Sequence, residues 1–249
     1  MAISRSSRLP GASLGVGLCV LAASACVVNV GPSHFVQGSG TVKSESRDVH
    51  GFDRVLVDGT GTLVITQGSS EHLNISAEDN VLPRLRSDVF NGRLELGPQP
   101  NTAIHATQPI RYELALKQLK EVHLAGSGDI QAGTLDTDQL DLEVKGSGNA
   151  NIERLTAKTL TISVAGSGTV TVAGQTAQQK ITISGAGRYR AADLQSRQAT
   201  IRVSGSGDCA VRASDSLDVS VTGSGNVTYS GSPTVNQHIT GSGSVTKSG

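Results

Sequence analysis

The sequence predicts an all-β fold, a parallel β-helix or β-solenoid with rungs of about 20 residues. Three observations carry that reading. A Gly-x-Gly tripeptide recurs at a near-constant interval, apolar residues keep fixed offsets from it, and aromatic bulk is nearly absent. Thirty glycines stand against three Phe, three Tyr and no Trp. Such a chain has to build its core from many small β-branched side chains, which favours sheet.

The tripeptide begins at Gly126, Gly146, Gly166, Gly185, Gly205, Gly223 and Gly241, at spacings of 20, 20, 19, 20, 18 and 18. Gly59-Thr60-Gly61 is an earlier copy, and Gly38-Ser39-Gly40 is a candidate for another. Two residues before the first glycine stand Val57, Leu124, Val144, Val164, Ile183, Val203, Val221 and Ile239. Four before it stand Val55, Val122, Leu142, Ile162, Ile181, Ile201 and Val219, until Gln237 breaks the series. Two after the second glycine come Leu63, Ile130, Ala150, Val170, Tyr189, Cys209, Val227 and Val245. A period of two marks strands with one buried face. Each rung is therefore read as strand, glycine corner, strand and a variable corner such as Ala173-Gly174-Gln175 or Ser230-Gly231-Ser232-Pro233. Stacked about 4.8 Å apart, such rungs bring equivalent positions into columns. A flexible Gly/Ser linker would not keep β-branched residues at fixed offsets through seven copies.

Residues 35–249 are read as one solenoid domain, irregular and β-rich over 35–120 and regular over 121–249. In the irregular part Leu73, Ile75 and Ala77 alternate as a strand, and Val81-Leu82-Pro83 marks a break or short turn. Asn91-Gly92, between Val89-Phe90 and Leu94-Glu95-Leu96, is a two-residue hairpin signal. Ile110, Tyr112, Leu114 and Leu116 alternate into the first regular rung. This part is expected to be continuous with the solenoid and larger in cross-section.

Residues 1–26 read as a signal peptide, followed by a tether over 27–34. Arg5 and Arg8 form a positive start, and Ala12 to Ala23 is an apolar run too short to span a bilayer, which needs roughly 20 residues. Ala23-Ser24-Ala25 then precedes Cys26. Two readings stay open: ordinary cleavage after the A-x-A pattern, or lipidation of Cys26, which resembles the modified cysteine of bacterial lipoproteins. On the second reading Val27 and Val28 lack the Asp of inner-membrane retention, and the address is the outer membrane. Cys209 is then the single thiol inside the domain, so no disulfide framework forms there.

Phe52-Asp53-Arg54-Val55, Gly59-Thr60-Gly61, Glu121-Val122 and the serial Gly-Ser-Gly units resemble the auto-transporter adhesin head GIN domain family, bacterial proteins of unknown function. The resemblance covers roughly residues 35–249. It implies a β-helix-like fold and an envelope location, and it brings no catalytic motif with it.

No chemistry stands out residue by residue. The histidines His34, His50, His72, His105, His123 and His238 form no zinc pair, and His123 alternates outward between Val122 and Leu124. Asp129 and Asp208 share a column but lie four rungs apart, about 19 Å at 4.8 Å per rung. Glycosidase carboxylates need roughly 5 to 9.5 Å. Asp136, Asp138 and Asp141 gather near one corner, as a solvated acidic turn or a calcium site. Tyr112 and Tyr189 fall inward, leaving Tyr229 as the one ring to stack on a sugar, and Cys209 falls inward as an inert thiol. With 17% charged residues and no net charge, no basic stripe exists for nucleic acid. The chain is read as a non-catalytic envelope lipoprotein, in adhesion or envelope structure, with no cofactor and no metal. The alternative is a carbohydrate-active β-helix enzyme or a polysaccharide-binding protein. Its expected partners are the membrane, through lipid on Cys26, and a protein or second copy at the C-terminal rung. There Gln237 and Lys247 replace apolar residues.

Overall fold

A computed structural model describes residues 34–248; the leader, Cys26 and the tether up to 33 lie outside the described residues. Among the described residues the elements are eighteen strands and a single 3-10 turn. The irregular part contains β1 (His34–Gln37), β2 (Val42–Arg47), β3 (Arg54–Gly59), β4 (Thr62–Gln67) and β5 (His72–Glu78). It continues through the turn Leu82–Arg84 into β6 (Leu85–Phe90), β7 (Arg93–Pro98), β8 (Thr102–His105) and β9 (Arg111–Leu116). The regular rungs are β10 (Glu121–Gly126), β11 (Asp129–Gly146), β12 (Asn149–Gly166), β13 (Thr169–Gly185), β14 (Arg188–Gly205) and β15 (Asp208–Gly223). The last rung comprises β16 (Asn226–Ser230), β17 (Thr234–Gly241) and β18 (Ser244–Lys247).

All regular rungs pair in parallel, and the predicted columns are the register itself: Val122, Leu142, Ile162, Ile181, Ile201 and Val219 are successive partners. Inside β11 the buried residues are Ile130, Ala132, Leu135, Leu140, Leu142 and Val144. Their alternation is broken by the exposed pairs Gly133-Thr134 and Asp138-Gln139, and again at Gly126-Ser127, so a rung has three sides. The variable corner interrupts the ladder less than its sequence predicts. Rungs run as single bent strands because inter-rung bonding resumes on both sides of it. The spacings shorter than 20 are absorbed at that corner: Gly174 faces Leu155 one residue early, and β15 skips ahead between Ala191 and Gln195.

The first glycine of each tripeptide stacks on its predecessor. At Gly146 φ is +117°, and an added Cβ would collide with the carbonyl oxygen of Gly126. That same oxygen accepts the Ser147 N–H at 3.0 Å. The corner therefore requires both the left-handed backbone and the missing side chain.

Gly59-Thr60-Gly61 is a true corner: β3 stacks on β10 and β4 on β11, which makes the irregular part continuous with the solenoid. Gly38-Ser39-Gly40 is not. No stacked backbone lies within 4 Å of a Cβ at Gly40; instead its N–H donates to the Glu78 carboxylate at 2.6 Å. The irregular part also reverses strand direction, with β2 antiparallel to β5, β5 to β9 and β6 to β7. Asn91 and Gly92 turn the β6–β7 hairpin at φ +49° and +74°, as their sequence predicts. His34, read as tether, is already the first residue of β1.

Candidate functional site

The column Asp129, Asn149, Thr169, Arg188, Asp208 lies in register, so the two aspartates remain four rungs apart. Each is occupied by the amide of the next rung. Asn149 Nδ2 donates to Asp129 at 2.9 Å and Asn226 Nδ2 to Asp208 at 3.2 Å. The acidic corner does not converge either. Asp138 pairs with Lys158 at 2.7 Å, whereas Asp141 stands beside Glu121 on another side of the rung.

There the structure assembles a charged cluster that strand alternation did not reveal. His123 points outward as expected, and its ring lies between two carboxylates, with Nε2 3.4 Å from Glu121 and Nδ1 3.4 Å from Glu143. Arg93 holds Glu121 at 2.9 Å and Lys145 holds Glu143 at 2.9 Å. Desolvation, reinforced by Glu121 and Glu143, raises the Asp141 pKa. The inter-rung register was the signal available in sequence, because Glu121 and Asp141 are twenty residues apart.

A groove of about 410 Å³ lies over the variable corner of the last rungs, lined by Gln175, Gln195, Arg197, Arg212, Ser214 and Ser232 among others. Beneath it is a buried polar network. Tyr189 Oη donates to Gln179 Oε1 at 3.1 Å, Gln179 Nε2 to Ser196 Oγ at 2.7 Å, and Ser196 Oγ to the Arg212 carbonyl at 2.6 Å. Gln179 occupies a column held by Leu160 one rung before and Ala199 one rung after. The Tyr189 hydroxyl thus has its acceptor in Gln179. A second groove, about 590 Å³, contains both Asp53 and Glu71. Lys120 neutralises Asp53 at 2.6 Å and Lys117 approaches Glu71 at 3.5 Å.

Tyr112 and Tyr189 are buried, and burial raises both phenols. Tyr229 occupies the inward column over Val211 and packs on the core, so its ring is no open platform for a sugar. Cys209 is enclosed and burial raises its thiol pKa, which makes it a poor nucleophile.

Residues 51–233 match the family model described as "Putative auto-transporter adhesin, head GIN domain". The chain belongs to that family. Among solved structures, the head GIN chain is similar to a "putative adhesin" from Bacteroides fragilis, with 26% identity and a TM-score of 0.81. That likeness covers 86% of this chain and 100% of the other. A "putative lipid binding protein" from Parabacteroides distasonis shares the fold at 23% identity and TM-score 0.72, over 86% and 100% of the two chains. No curated protein sequence matches.

Proposed function

We propose that this head GIN protein is a non-catalytic, adhesin-like protein of the bacterial cell surface or envelope, anchored by lipid on Cys26. It works through its lateral faces. The observation that carries the reading is the repeated, stacked surface. Its richest groove offers Arg197, Arg212, two carboxamides and several hydroxyls, and no carboxylate lines it. That lining suits a hydroxylated or anionic partner such as a surface glycan. The adhesin descriptions of the family and of the Bacteroides fragilis relative support the same reading.

Metabolic labelling with a lipid probe tests the anchor: wild type labels and Cys26→Ser does not, and equal labelling of the two removes the anchor from the account. Glycan-array binding with wild type and an Arg197→Ala, Arg212→Ala double variant tests the face. A glycan retained by wild type and lost by the variant supports it.

One observation favours the enzymatic alternative, the shared groove of Asp53 and Glu71. Its lysine partners oppose it, since Asp53 is already paired with Lys120 at 2.6 Å and Glu71 stands 3.5 Å from Lys117. Polysaccharide cleavage abolished by Asp53→Asn would establish that reading instead.

A further inference from the structure

The outer edge of β17 faces no strand among the described residues, because β17 pairs with β15 alone. An unpaired edge is a template for another strand, and proteins guard such edges with charge, proline or reversal. The edges at the other end are guarded: β2 carries Lys43, Glu45 and Arg47, and β6 carries Arg86 and Asp88. In β17, Thr-Val-Asn-Gln-His-Ile-Thr-Gly, no Asp, Glu, Lys or Arg appears.

We propose that two copies of this chain join through β17 as an antiparallel pair, about a two-fold axis passing at Gln237. Strand polarity permits it, since a two-fold rotation opposes the direction of β17 in the two copies. Side-chain chemistry selects the register. Val235, Gln237 and Ile239 continue the inward columns of Leu217, Val219 and Val221. Centring the axis on Gln237 sets Val235 against Ile239 of the second copy and Gln237 against its own equivalent. The two carboxamides then bond to each other as donor and acceptor. On the outer face Asn236 meets His238 and Thr234 meets Thr240, with no like charges opposed. Gln237 breaks a column that is Val, Leu or Ile in the seven earlier rungs. A self-paired polar residue in an apolar seam is a known means of fixing register. Stacking of this end on the other end of a neighbour would build an open filament. The charged β2 and β6 edges oppose it.

Sedimentation of the full-length protein, carrying Cys26→Ser so that no acyl chain drives association, should show a monomer–dimer equilibrium. Gln237→Lys opposes two ammonium groups and should raise the dissociation constant by about 100-fold or more. Gln237 is exposed in the isolated chain, so circular dichroism should show an unchanged fold. Under mild oxidant, Gln237→Cys should cross-link between copies, because directly opposed Cα atoms lie roughly 4.5–5.5 Å apart. Thr240→Cys should behave as the unsubstituted protein, its equivalent in the other copy lying six strand positions, about 20 Å, away. A protein monomeric at every concentration, a dimer indifferent to Gln237→Lys, or cross-linking at Thr240 in preference to Gln237 would overturn the proposal.

Discussion

The two ends of the solenoid solve the same problem in different ways. At the N-terminal end the chain reverses direction, so that antiparallel β2 and β6, both charged, form the final edges. A two-stranded piece, β1 with β8, closes over the side, and Val36 and Ile104 from it pack on the core. At the C-terminal end the strands remain parallel, and the edge carries no charge along β17. The difference teaches that capping here is a matter of strand direction and charge, since neither end uses an α-helix among the described residues.

What fastens the closed end is Glu78, fully enclosed and bonded by neutral donors alone. The Thr107 hydroxyl donates to it at 2.5 Å, the Thr107 N–H at 2.9 Å and the Gly40 N–H at 2.6 Å. These bonds, the Thr107 hydroxyl first, hold its pKa below the ordinary 4.5. A pKa lower in the folded than the unfolded chain stabilises the fold above the unfolded value. That contribution disappears as pH falls through the folded one.

The largest expected effect lies between the ends and tests whether one core joins them. Ile162 is fully buried in β12, and Ile162→Asp places an unpaired charge in the stacked column at a cost of several kcal/mol. Thermal melts should show loss of most of the folded population. Deleting residues 235–249 comes next: it strips β17, all but Thr234, from β15 and uncovers Val219 and Val221. Light scattering should report aggregation, whereas a soluble, unchanged truncation would show that the open end needs no cover. Glu78→Ala should have a smaller, local effect. The melting temperature should fall at neutral pH, and the remaining decline on acidification should be shallower than in wild type. Parallel curves for the two proteins would remove Glu78 from the closed end. Thr161→Asp, one residue from Ile162 but outward, should change stability by only about 0.5 kcal/mol.

The regular rungs were legible because each column repeats its evidence: a wrong face for Ile162 would have been wrong for Leu142 and Ile181 as well. The closed end was not, for it is assembled from single, distant pairings. Glu78 lies 38 residues from Gly40 and 29 from Thr107, and nothing local to any of the three announces the others. Gly38-Ser39-Gly40 misled because its composition matches the corner while its task is to wrap a carboxylate. The His123 cluster lies between these cases. Outward alternation was readable, but the carboxylates bracketing the ring come from its own strand and the next rung.

Hydrogen exchange read by mass spectrometry at low and high protein concentration compares the two ends in one measurement. The account predicts that residues 234–241 exchange rapidly when dilute and become protected as concentration rises, while β2 and β6 exchange alike in both. Concentration-independent exchange at β17, or protection that rises at β2 and β6 instead, would contradict it.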